Sequence, residues 1–127
     1  MIKYHVFSMG NASDRTKPKK AYAKCVAEEV VSHKGFVKEV ARYSGFLPHG
    51  MIEAVLTEVS DCLSKHLAKG DRVTLDGLGT FSATLKCAGA ASEASFSKEN
   101  IKDVHIVFTP CRELKKRFEE MEYKQIL

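Results

Sequence analysis

The sequence predicts an α+β chain: two helices, a three-stranded sheet whose last hairpin is interrupted by a loop or arm, a short last helix, and an N-terminal β-hairpin extension. Three observations lead there. Ile52, Val55, Leu56, Val59, Leu63 and Leu67 recur at helical spacing between Pro48 and Gly70. Phe81, Ala83 and Leu85 alternate with polar residues, and Val104, Ile106 and Phe108 repeat that alternation after a stretch of small and polar residues. The chain also begins with a run of β-formers, Ile2, Tyr4, Val6 and Phe7.

Ile2 to Met9 reads as a strand, broken by Gly10-Asn11-Ala12-Ser13-Asp14. Ala21 to Val26 reads as a second strand, pairing with the first across a long loop, although its Ala and Lys content also suits a helix start. Phe36, Val37, Val40 and Ala41 mark a short helix from Lys34, with Gly45 placed as its C-terminal cap. Pro48 suits the opening of the next helix. Met51 and Cys62 widen that helix's apolar face beyond what a short partner helix can cover, which points to a second copy of the chain. The expected dimer core is Ile52, Val55, Leu56, Val59 and Leu63, with Phe81 and Phe108 from the sheet.

Asp71 to Leu75 follows as a short strand, and Asp76-Gly77 turns the chain into Leu78-Gly79-Thr80-Phe81. The two alternating segments face one core, and residues 86–103 between them project as a loop or arm. Pro110 ends the last strand, and Leu114, Phe118 and Met121 mark a C-terminal helix. At 127 residues the whole chain, 1–127, fits one domain, divided as a β extension over 1–32 and a core over 33–121.

The net charge of +4 is unevenly placed. Residues 1–24 hold six Lys/Arg against one Asp, whereas residues 86–103 balance Lys86, Lys98 and Lys102 against Glu93, Glu99 and Asp103. No apolar run is long enough to cross a bilayer and the start lacks a signal-peptide layout, so a cytoplasmic protein with no membrane partner is expected. The widely spaced Cys25, Cys62, Cys87 and Cys111 suit a reducing compartment. Cys62 and His66, one helical turn apart, form at most half a zinc site, and no full ligand set with normal spacing exists. No nucleotide-binding glycine loop, nucleophile elbow or H-E-x-x-H is present, so neither an enzyme, a cofactor nor a small-molecule substrate is expected.

The order helix, helix, three-stranded sheet with an interrupted last hairpin, short helix resembles the HU and integration host factor family of bacterial histone-like proteins. Lys69-Gly70-Asp71-Arg72-Val73-Thr74-Leu75 leading into Gly77-Leu78-Gly79-Thr80-Phe81 carries the match, and Phe108, Arg112, Leu114 and Lys115 extend it. The longer β-rich start is similar to HU-like proteins of Bacteroides-type bacteria, a likeness that implies extra strands joined to the sheet of the same domain. The resemblance implies an HU-like fold, a helical dimerisation core with a β-sheet saddle and β-ribbon arms, in a nucleoid-associated homodimer. Its arms would embrace double-stranded DNA at the minor groove and bend it without reading sequence.

This chain departs from the family in its arm, which has no proline tip and a neutral charge. Thr84 stands where the family usually places arginine, while Lys86, Arg112 and Lys115 keep their basic character. The candidate DNA contacts are therefore Lys86, Lys98 and Lys102 in the arm, Arg112, Lys115 and Lys116 near the last helix, and Lys19, Lys20 and Lys24 in the extension. With Lys17, the last group forms either a supplementary phosphate patch or a solvated loop. Phe96 is either a wedge replacing the proline or a residue folded back on the sheet. A neutral arm leaves a second reading open, an HU-like dimer serving as a protein-interaction or assembly module.

Overall fold

A computed structural model describes residues 1–11 and 13–126. Ala12, in the predicted break after the first strand, lies outside the described residues. Strand β1 (Ile2–Met9) pairs antiparallel with β2 (Lys20–Cys25) in the register Tyr4↔Cys25 to Met9↔Lys20. Helices α1 (His33–Ser44) and α2 (His49–Ala68) follow, then β3 (Val73–Leu75), β4 (Gly79–Cys87), β5 (Ile101–Pro110), the short helix α3 (Arg112–Lys116) and β6 (Tyr123–Gln125).

Local chemistry explains the boundaries. Ser32 opens α1 by accepting from the Gly35 backbone N–H at 3.1 Å, and Gly45 closes it at φ 74°, in the left-handed region. Pro48 stands as the N-cap of α2 in extended conformation, one step before the helical residues it was expected to join. Asp76, Gly77 and Leu78 form the turn between β3 and β4, with Gly77 at φ 85°.

Gly79 is fixed by crowding. A Cβ there would lie 2.1 Å from the Thr109 carbonyl oxygen and 2.9 Å from Pro110 Cα, both backbone atoms that cannot swing aside. Gly79→Ala is therefore expected to lower stability by about 2–4 kcal/mol, read as a fall in Tm, because the β4–β5 pairing must part to admit the methyl.

The strands form two separate three-stranded sheets, β2-β1-β6 and β3-β4-β5. This corrects the expectation that the N-terminal strands extend the saddle sheet. They recruit β6 instead, which runs parallel to β1 in the register Ile2↔Tyr123, Lys3↔Lys124 and Tyr4↔Gln125.

The C-terminal helix is also shorter than its apolar spacing predicts. It ends at Lys116, and turns carry Phe118 and Met121 onward. Glu119, Glu120 and Glu122 crowd the end where a helix dipole disfavours acid. Backbone hydrogen bonds from Ile2 to Glu122 (2.8 Å) and from Ile126 to Tyr4 (2.9 Å) draw the segment into the sheet.

In the isolated chain the only buried hydrophobic side chains among the described residues are Val37 (2% exposed) and Ile52 (6%). The α2 stripe splits along its length. Ile52, Leu56, Leu63 and Leu67 turn toward the chain's own sheet and α1 and are buried or half-buried. Met51 (54%), Val55 (54%), Val59 (41%) and Cys62 remain exposed on a neighbouring ridge.

Candidate nucleic-acid interface

The β4–β5 hairpin positions the arm. Its register pairs Phe81 with Phe108, Ala83 with Ile106 and Leu85 with Val104, so these six side chains share one face, with the two phenyl rings 4.9 Å apart. Phe81 is half-buried, but Leu85, Val104, Ile106 and Phe108 are exposed, so the expected core face of the sheet has no cover in the single chain. The opposite face carries Thr80, Ser82, Thr84 and Lys86 against Thr109, Val107, His105 and Asp103.

Two consequences bear on DNA contact. Lys86 lies across from Asp103 in the strand register without an ion pair within 4.0 Å, and the Asp103 carboxylate lies 3.9 Å from His105 Nε2. The candidate residues also fall into three separated groups. Arg112, Lys115 and Lys116 sit on α3, which starts where Cys111 hydrogen-bonds to Leu78 (2.8 Å) at the base of the hairpin. Lys86, Lys98 and Lys102 sit at its far end, seven residues or roughly 23 Å along β4. Lys19, Lys20 and Lys24 belong to the other sheet or to the loop before it.

The pairing runs further than the sequence suggests, to Cys87 and Ile101, with a bulge beside Lys86. The closing loop is tied rather than open. Ala88 donates to the Asn100 carbonyl at 2.7 Å, and Asn100 Nδ2 donates back to the Ala88 carbonyl at 3.2 Å. Ser97 and Asn100 form a capping box around a single 3-10 turn, Lys98–Asn100. The Ser97 hydroxyl donates to Glu99 at 2.6 Å, which holds that carboxyl below its usual range. Glu99 and Lys98 are neighbours in this turn, so their opposite charges offset one another in the arm. Phe96, in this loop, is 43% exposed.

The extension carries its own charge. Lys3 donates to Glu28 at 2.7 Å, and this bond together with the lysine's charge lowers the Glu28 pKa. The hydroxyl and backbone N–H of Thr16 do the same to Asp14. His66, which the sequence places one turn from Cys62, contacts Asp71 through Nδ1 at 2.9 Å. Among the described residues no group of three His, Cys, Asp or Glu is gathered as metal ligands, and no helix is long and apolar enough to cross a membrane.

Two functional features escape sequence reasoning. The Lys86–Asp103 pairing depends on register, which an interrupted hairpin does not disclose. The separation of the extension's lysines from the arm depends on β6, whose three residues are too few to show a period.

Comparison with solved structures gives the fold a context. A protein of Bacteroides vulgatus described as a candidate bacterial DNA-binding protein superposes with a TM-score of 0.67 at 10% identity, over 98% of this chain and 48% of its own. The chain thus spans about half the length of that neighbour. An HU–DNA cocrystal structure from Anabaena superposes with a TM-score of 0.51 at 20% identity, over 69% of this chain and 97% of the other. No curated protein matches. The HU-HIG family model, described as an HU domain fused to wHTH, Ig, or Glycine-rich motif, matches residues 1–125, and the chain belongs to that family.

Proposed function

We propose that this protein is a non-enzymatic, nucleoid-associated architectural protein that binds double-stranded DNA as a homodimer without sequence readout, with residues 1–127 acting as one HU-like domain. The observation that carries this reading is the unfinished core. The exposed Met51–Cys62 ridge of α2 and the uncovered Leu85, Val104, Ile106 and Phe108 face are what a second copy would cover. Such pairing would set two hairpins side by side, the arrangement in which an HU fold embraces a duplex, and the DNA-bound state of the Anabaena neighbour supports that geometry.

In this reading Arg112, Lys115 and Lys116 grip phosphates at the base of each arm and Lys86, Lys98 and Lys102 at its end. Lys19, Lys20 and Lys24 add a separate phosphate contact. Phosphate contact and shape dominate because the polar face of the hairpin holds no Arg, Asn or Gln for reading base edges. Binding is expected to weaken steeply with salt, each phosphate contact adding about 0.9 to the slope of log K against log salt. Anisotropy titrations of a labelled 30-bp duplex from 25 to 300 mM salt measure that slope. The absence of binding at the lowest salt would refute the proposal.

One observation favours a second reading, in which the dimer is an assembly module with little DNA contact: Lys86 is offset by Asp103 across the hairpin. An affinity that ignores charge reversal at the arm and α3 would favour it.

A further inference from the structure

The extension sheet has a face unlike anything on the saddle. The β1–β2 register places His5, Phe7 and Met9 on the same side as Lys24, Tyr22 and Lys20, and the parallel register of β6 adds Lys124 beside Lys3. Aromatic and cationic side chains therefore interleave across three strands. Phe7 and Tyr22 lie with ring centroids 6.1 Å apart and planes 34° from parallel, and both rings are open to solvent, at 36% and 44% exposed.

Lys20 and Lys24 flank Tyr22 on either side, each about 6.7 Å along the strand. Lys3 is neutralised by Glu28, whereas none of Lys20, Lys24 and Lys124 has a carboxylate within 4.0 Å among the described residues. Glu122, immediately before β6 and two residues from Lys124, is the acidic residue nearest in sequence to this set. At the other end the face runs into a groove of about 370 Å³ lined by Met9, Asn11, Lys17, Pro18, Lys20 and Tyr22.

We infer that this face binds single-stranded nucleic acid, with bases stacked on Tyr22 and Phe7 and the phosphates held by Lys20, Lys24 and Lys124. Stacking platforms between cations are the means by which flat protein surfaces hold single strands without regard to sequence. A duplex suits the face poorly, because its bases present their faces to one another and not to the protein. An acidic peptide would satisfy the lysines but leave the rings without a planar partner. The face is distinct from the arms and α3 and shares only Lys20 and Lys24 with the proposed duplex contacts, so loss of its two rings separates single-strand from duplex binding.

The test uses the full chain and fluorescein-labelled 15-mers of dT, of U, and of abasic deoxyribose phosphate in anisotropy titrations. The dT or the U oligomer is expected to bind at least about tenfold more tightly than the abasic one, and the better of the two names the source as DNA or RNA. Equal affinity for the abasic strand would reduce the face to a charge patch and overturn the inference. The variant Phe7→Leu with Tyr22→Leu keeps apolar bulk on the sheet and removes the π faces. It is expected to lose about tenfold in dT affinity with an unchanged circular-dichroism melt and unchanged affinity for a 20-bp duplex. Retention of dT affinity in that variant would overturn the inference. So would loss of dT affinity on reversing Lys86, Arg112 and Lys115, since the arms would then be the site.

Discussion

Val59→Asp is expected to yield a monomer that no longer binds duplex DNA. Val59 lies at the middle of the open α2 ridge, between Val55 and Cys62, and a carboxylate there would be trapped unpaired between two apolar helices. An uncompensated buried charge costs about 3–5 kcal/mol, and a twofold assembly carries two copies. The dimer dissociation constant should rise by more than about a hundredfold per copy, since each 1.4 kcal/mol is a factor of ten. Light scattering coupled to size exclusion reads the mass directly. Ala54→Lys, on the exposed opposite side of α2, is the control and should move stability by no more than about 0.5 kcal/mol. A Val59→Asp chain that keeps the mass of a dimer would show that the ridge faces something else.

Combined replacement of Lys86, Arg112 and Lys115 by Glu is expected to abolish most duplex affinity with only a small fall in the melt, because all three side chains are exposed and only the Lys86→Glu change meets a like charge across the strands, at Asp103. Three lost phosphate contacts per chain are six per dimer, so the salt slope should fall by about 5 and the affinity at low salt by at least about a hundredfold. Single reversals separate the contributions. Lys86→Glu is expected to be the mildest, since Asp103 stands across from it in the strand register and already lowers the local potential. An unchanged slope in the triple variant would favour the assembly-module reading.

The elements with a strong period were legible in the sequence. Strand β1 has the bounds read from its β-formers. The second strand, both long helices and the hairpin differ from their predicted positions by a few residues at most. Gly45 and Gly77 account for part of this, because they act through local backbone geometry that a sequence states directly, whereas Ser32, the N-cap of α1, emerged only from the structure.

The apolar stripe of α2 was legible as a stripe but not in its division. Ile52, Leu56 and Leu63 face inward while Val55 and Val59 face out. The two sets differ only in their angle around the helix, and the packing of α1 and the sheet decides which is covered. The candidate DNA residues were legible as cations and not as a site. Their grouping at two ends of one hairpin and on a second sheet is a product of register and topology. The last helix was overread because Leu114, Phe118 and Met121 fit a helical period equally well when carried by turns.

The parallel pairing of β6 with β1 also orders events in time. The β1–β2 hairpin closes only the ten residues between Met9 and Lys20 and can form as soon as its own residues are available, but Ile2 cannot meet Tyr123 until almost the entire chain lies between them. Closing so long a loop costs entropy that only a finished neighbouring structure can offset, and pairings of such sequence separation form late. Residues 123–125 should therefore lock last in refolding. Until they do, one edge of β1 remains an unpaired template for whatever strand reaches it first.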